Sequence, residues 1–250
     1  MRSVIDQEGV TVEYIVVDAG STDGSREIIE RYREKVACII LEPDRGPADG
    51  LNKGFAAATG NVFGFLNSDD YLLPTALLRV QDFILKNPDV DVVSGHALIV
   101  DGEGKVCRRS YSDRFSARMH ALGASVLMQQ STFFKARAFR ETGGFNIENR
   151  IAWDGELFYR MYREGAKFAL TNEFLSAFRI HDAGITGSAR LDLAWREYCA
   201  WVFRDYYGRT PGLFDRFLMS GARIVKHLRN WRDSRERLLH GAVYGRNRAS

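Results

Sequence analysis

The chain has 250 residues, 45% hydrophobic and 27% charged, enough apolar content for one sizeable core and too much for a disordered chain. No apolar run reaches the length of a membrane span, and "MRSVIDQEGV" lacks the apolar stretch of a secretion signal, so the expected address is the cytoplasm. Cys38, Cys107 and Cys199 stand far apart with no C-x-x-C pair, which argues against a disulfide framework and a zinc site. The net charge of +3 is unevenly spread: residues 190–250 hold 13 Lys and Arg against 6 Asp and Glu. That shift suggests a boundary near 186. No recognised nucleic-acid-binding motif accompanies the charge, so nucleic acid is not an expected partner.

In chain order, "EYIVV" (13–17) reads as a short strand that stops at Asp18 and the turn-forming "AGSTDGS", after which Ile28, Ile29 and Tyr32 mark a helical face. "ACIILEP" (37–43) is a second strand and "DRGPADG" a loop. Leu51, Phe55 and Ala58 then stripe a helix that Gly60 can close. A strand over 61–66 leads to Asp69 and Asp70. Pro74 suits the first turn of a helix to about Lys86, "DVVSG" is another strand, and "ALIVDGEGKVC" a hairpin around Asp101 to Lys105. "QQSTFF" (129–134) reads as a strand, a helix is expected from about Trp153 to Glu164, and "FLSAFRI" is again strand-like. Continuous apolar strands alternating with helices predict an α/β fold, with a mostly parallel sheet that binds ligands beyond the carboxyl ends of its strands. Asp18, Asp44 and the 69/70 pair fall at such ends.

The stretch "FLNSDDYL" poses the sharpest chemical question, because an apolar run ends in two adjacent carboxylates. Like charges repel, so a cation is the expected partner. "VVDAGSTDGS", "EPDRGPADGLNKG", "ATGNVFGFLNSDD", "TGGF" and "WDGELFYR", in that order, resemble the family 2 glycosyltransferases of the GT-A fold, over roughly residues 4 to 186. The resemblance implies a Rossmann-like sheet flanked by helices and an inverting transfer of a sugar from a UDP- or GDP-sugar to an acceptor hydroxyl. It further implies a divalent metal, Mn²⁺ or Mg²⁺, and polysaccharide or glycan synthesis with a glycan or lipid-linked acceptor.

Residue by residue, the resemblance puts Asp70 on the metal and Asp69 on the ribose or the metal's waters. Asp18 would accept a hydrogen bond from the base, although Asp also forms turns of this kind. Arg45 would stack on the base or pair with phosphate; an ion pair with Asp44 or Asp49 is the alternative. Asp154 is the expected general base, against a plain helix N-cap, with Glu156 the second candidate. Arg160 matches a family position that braces the acid cluster, and His181 a histidine near the metal or diphosphate. Trp153, Gln129 and Gln130 are expected to border the acceptor pocket.

Relatives ordinarily carry a further strand upstream of the segment matching "RSVIDQ", so the first strand of the fold is expected to be lacking here. An N-terminally incomplete, non-catalytic nucleotide-binding or assembly module is therefore an alternative, and a sugar nucleotidyltransferase a more distant one. Residues 1–186 form the expected transferase domain and 187–250 a helical extension. Within the extension Phe217, Ile224, Leu228, Trp231 and Leu238 recur between Arg223, Lys226, Arg229 and Arg232, an amphipathic basic helix. Its apolar face is expected to pack on the catalytic domain; contact of 216–239 with the inner face of an anionic membrane is the alternative.

Overall fold

The β-branched triplet of β1 (Ile15–Val17) pairs in parallel with β2 (Cys38–Ile40), Ile15 opposite Cys38 and Val17 opposite Ile40. The computed structural model describes residues 1–180 and 189–241, with side chains in the second stretch described from 193 onward. α1 (Arg2–Ile5) precedes this pair; α2 (Ser25–Arg31) lies between its strands, and α3 (Pro47–Ala57) follows with Pro at its first turn. Proline there gives up an N–H that a helix start leaves unbonded.

A second sheet has six strands. Its path runs β3 (Val62–Phe63), β7 (Thr132–Lys135), β5 (Val92–Val100), β8 (Phe168–Arg179) and β4 (Tyr71–Leu72), with β6 (Val106–Ser110) also on β5. In this sheet β5 and β8 run parallel and the other pairings are antiparallel. The α/β class and flanking helices stand, but the sheet is mixed where a mostly parallel one was expected. Continuous apolar runs report burial on both faces, and a central antiparallel strand shares that burial. Among the described residues no ladder joins β1 and β2 to the larger sheet. Near that gap the Glu13 carboxylate accepts the N–H groups of Thr59 and Gly60 at 2.7 and 2.9 Å.

The larger sheet separates two cores because successive residues of a strand face opposite ways. Val92 belongs to an aromatic core with Phe63, Phe65, Phe134, Phe139, Phe145 and Phe158, fed by α6 (Ala136–Glu141) and α7 (Trp153–Arg163). Val93 faces the other way, with Val4, Leu72, Val80 and Leu175, under α4 (Ala76–Lys86). The helix expected from Pro74 begins at Ala76, since Thr75 sits at φ 61. Residues 129–131 form a 3-10 turn ahead of β7 rather than its first half.

α5 (Ala117–Ala121) and α7 receive Tyr198 and Val202 from α8 (Ala189–Tyr207), while Ala222 of α9 (Leu213–Arg229) packs with Leu122, Ala124 and Phe203. The expected domain boundary at 186/187 lies outside the described residues. The single amphipathic helix expected over 217–238 is broken at Asn230, which caps α10 (Trp231–His240) and donates to Tyr111 O and Asp113 Oδ1. Its apolar face does not pack on the catalytic domain. Phe217, Ile224, Leu228, Trp231 and Leu238 are all exposed, and Asp215, Ala222 and Asp233 are buried instead. Polar anchors turn the helices this way: Asp215 takes two bonds from Arg209 at 2.6 and 2.7 Å, and Asp233 accepts from Tyr111 N and Arg237 Nε at 3.1 and 2.6 Å.

Candidate active site

β1 ends at Asp18, whose N–H still donates to Ile40 O while its side chain organises the loop that follows. Oδ1 accepts the N–H groups of Gly20 and Ser21 at 3.1 Å each and Arg26 Nε at 2.7 Å. The Ser21 hydroxyl, with Arg26 and these amides, holds the buried carboxyl far below the usual range. Asp18 is thus a fixed negative charge on the rim. The next loop behaves alike: Asp44 accepts Gly46 N–H at 2.8 Å, and Asp49 accepts Arg45 N–H at 2.9 Å. The exposed Arg45 guanidinium stands 3.9 Å from Asp49, which is the ion pair weighed as the alternative.

Asp69 and Asp70 occupy the turn between β3 and β4. Asp70 is 6% exposed, and its Oδ1 accepts the backbone N–H of Arg179 at 3.0 Å. The Arg179 guanidinium donates to Asp69 O at 3.0 Å, Asp101 O at 3.1 Å and Gly102 O at 2.8 Å, and lies over the Tyr71 ring. Sequence reasoning passed Arg179 over, because nothing local marks the end of a strand as a clamp for a loop 110 residues earlier. Two adjacent carboxylates are hard oxygen donors of the kind Mg²⁺ and Mn²⁺ prefer, and such ions complete their shell with phosphate oxygens and water. Among the described residues no cluster of three or more His, Cys, Asp or Glu forms a ready-made cage. His181 lies outside the described residues.

Aromatic packing joins this turn to α7. Trp153 places its ring 5.5 Å from both Phe65 and Phe145, so it is a wall of the aromatic core rather than an open platform. Asp154 follows it in the first turn of α7 and accepts Gly155 N–H at 2.8 Å. Burial raises its carboxyl above the ordinary value. Glu156 is committed elsewhere: Oε1 accepts from Asn146 at 2.9 Å and Oε2 from Asn149 at 2.6 Å, so it ties down the loop before α7. Arg160 likewise braces the glycine loop rather than the acids, donating to the carbonyls of Gly144 and Thr142. Asn52 bonds both backbone groups of Phe145, at 2.8 and 2.9 Å. Gly144 allows this, since at φ 91 a Cβ would meet Asn52 Oδ1 at 2.7 Å.

Behind Asp154 lies a pair that the sequence did not single out. His120 Nε2 and Tyr198 Oη are 2.8 Å apart, the His120 ring stacks on Tyr159, and burial lowers the imidazole to about 4. Burial, then the charges of Asp154 and Glu156, raise the Tyr198 hydroxyl. Gly155 makes room for the pair, because a Cβ there would lie 3.1 Å from Tyr198 Oη. Gln129 donates to Phe65 O at 2.8 Å, and the turn 129–131 lies against β4 and β8, the strands beside Asp70 and Arg179. Gln130 is 4% exposed, and its Nε2 has no hydrogen-bond partner among the described residues.

Residues 1–143 match the family model described as glycosyl transferase family 2. The chain belongs to this family. An uncharacterized glycosyltransferase of Nostoc sp. is 30% identical over 200 residues, covering 73% of this chain and 60% of that protein. The succinoglycan biosynthesis protein ExoO of Rhizobium meliloti is 32% identical over 145 residues, 54% of this chain and 39% of that one. The chain thus spans 60% and 39% of the length of these relatives, less than two thirds of either. Among solved structures, the mannosyltransferase PcManGT of Pyrobaculum calidifontis, in complex with GDP-Man and Mn2+, aligns with a TM-score of 0.59 at 18% identity, over 93% of this chain and 66% of that one. That likeness establishes the GT-A fold for this member of family 2.

Proposed function

We propose that this family 2 chain transfers a glycosyl unit from a nucleoside diphosphate sugar to a hydroxyl of a glycan or lipid-linked acceptor, with inversion at the anomeric carbon. The observation that carries it is the joining of two acid sites through one aromatic wall: Asp154 follows Trp153, whose ring lies on Phe65, and Phe65 sits just after β3 in the segment that leads to Asp69 and Asp70. The name of ExoO supports polysaccharide synthesis as the setting, and the ligands of PcManGT support a nucleotide-sugar donor and a divalent ion.

In this reading Asp18 and Arg45 face the nucleotide, Asp69 the ribose or metal-bound water, and Asp70 the ion. A divalent ion held there would neutralise charge on the diphosphate. Asp154 accepts the proton of the acceptor hydroxyl. The acceptor's hydroxyl oxygen bonds to the anomeric carbon as the bond from that carbon to the diphosphate oxygen breaks, and the electron pair leaves with the diphosphate. A carboxyl raised by burial suits this task, because a general base takes a proton most effectively when its pKa is moved toward the operating pH. Gln130, its amide donor unmet among the described residues, faces the sugar or acceptor.

Calorimetric titration of the chain with UDP and with GDP, each with and without Mn²⁺, tests the donor side directly. Binding of one nucleotide that strengthens with Mn²⁺ is the expected result and names the base. A folded chain that binds neither nucleotide in either condition overturns the reading.

A further inference from the structure

The C-terminal helices expose a row of large apolar side chains. On α9, Phe214, Phe217, Ile224 and Leu228 follow one another at three-, four- and seven-residue spacings that keep them on one stripe. Phe217 is 74% exposed, Leu228 73%, Trp231 at the elbow 57%, and Leu238 on α10 86%. Soluble proteins rarely leave so many large apolar side chains in water along one helix face. The opposite side of α9, with Asp215 and Ala222, meets the rest of the protein.

Arg216, Arg223, Arg229, Arg232 and Arg235 surround this stripe, and among the described residues none has a carboxylate within ion-pair distance. Beside the elbow opens a cavity of about 580 Å³ whose lining includes Arg114, Ser125, Lys226, Arg229, Trp231 and Arg232. The one acid among the described residues of its lining, Asp113, is occupied by Asn230 at 2.8 Å, Val126 N–H at 2.8 Å and Lys226 at 3.7 Å. Ser125 Oγ is closed off from solvent without a partner among the described residues. Trp231 therefore belongs both to the apolar stripe and to a positively charged cavity.

We infer that α9, α10 and their elbow form a docking surface for an anionic lipid bilayer, with the apolar stripe entering the interface and the elbow cavity receiving a phosphate headgroup. A helix with one apolar stripe and basic margins lies in such an interface, and each arginine near an anionic surface adds attraction. Charge decides against a second copy of the chain, since a two-fold contact through this face would bring the same arginines together. The inference goes beyond the proposed transfer reaction and does not depend on it.

Flotation of the 250-residue chain with vesicles of phosphatidylcholine, and of equal parts phosphatidylcholine and phosphatidylglycerol, tests it at low and raised salt. The chain is expected to float with the anionic vesicles, about tenfold more weakly as salt rises or when the anionic lipid is omitted. Phe217→Asp with Leu228→Asp, and separately Arg229→Glu with Arg232→Glu, should each reduce flotation at least about tenfold. Leu85→Asp, an exposed position on α4, should leave it unchanged. All these sites are exposed, so circular dichroism should report a folded chain in each case. Failure of the unaltered chain to float at low salt overturns the inference, as does equal flotation of the stripe variant. A dimer in light scattering that the stripe variant dissolves, without vesicle binding by the parent, would give the face to a second copy.

Discussion

The backbone N–H of Arg179, the last residue of β8, donates to Oδ1 of Asp70 at 3.0 Å, while its side chain holds Asp69 O, Asp101 O and Gly102 O. One residue therefore sets the carboxylate by its main chain and the surrounding turns by its planar fork. Lysine keeps the charge and the N–H but lacks the fork. Arg179→Lys should lower the Mn²⁺-dependent affinity for nucleotide about tenfold and cost about 1–3 kcal/mol of stability. Calorimetry and urea unfolding on the same preparation check both, and unchanged affinity would reduce Arg179 to a brace of the β5–β6 hairpin.

Asp154 offers a test in which activity and stability move in opposite directions. Burial raises its carboxyl, so at neutral pH the folded state carries a charge the unfolded chain bears more easily. The sign follows: with the folded value above the unfolded one, stability falls as pH rises through that interval and stays lower above it. Asp154→Asn should reduce turnover by about 10² to 10⁴ and leave nucleotide affinity intact. Its melting temperature at neutral pH should equal or exceed that of the parent, with the gap closing below about pH 4. Loss of nucleotide binding would mean that Asp154 organises the site instead of taking the proton.

The sequence made the rim of the site legible because its parts are local. Asp18 ends a β-branched run, Asp69 and Asp70 follow an apolar one, and Asp154 opens a strongly amphipathic helix, so motif order and periodicity place each on its element. What was not legible depends on long-range contact. Glu156 looks like a second acid until Asn146 and Asn149 claim both its oxygens, and Arg160 looks like a partner for acids until it meets the carbonyls of the glycine loop. Strand direction is not legible in the sequence because an apolar run encodes burial, not polarity of the chain. The outward faces of α9 and α10 are not legible in the sequence because Asp215 and Asp233 are anchored from other elements, at Arg209 and at Tyr111.

His120 gives the protein a distinct response to acid. Its folded value is lowered from 6.5 to about 4 by burial beneath Tyr159 and Tyr198. The unfolded chain takes up a proton below about 6.5 that the folded chain refuses, so stability is lost as pH falls from about 6.5 toward 4. The loss from this group is at most about 3 kcal/mol, and His96, lowered by burial, adds in the same direction. His120→Gln should flatten the difference between unfolding free energies measured near pH 7 and near pH 5. An unaltered difference would assign the acid response to other groups.

Gln130 bears on what the site holds beyond the nucleotide. Its buried Nε2 meets no acceptor among the described residues, and stranding an amide costs about 1–3 kcal/mol unless a ligand bonds it. Methionine has nearly the same shape and no donor. Gln130→Met should therefore keep or raise the stability of the free protein and leave UDP or GDP affinity unchanged. Turnover should fall about tenfold or more, because a site built to hydrogen-bond its substrate loses that discrimination with the donor. Normal turnover in a stabilised variant would make the amide a packing defect, and weakened nucleotide binding would move it from the sugar side to the nucleotide side.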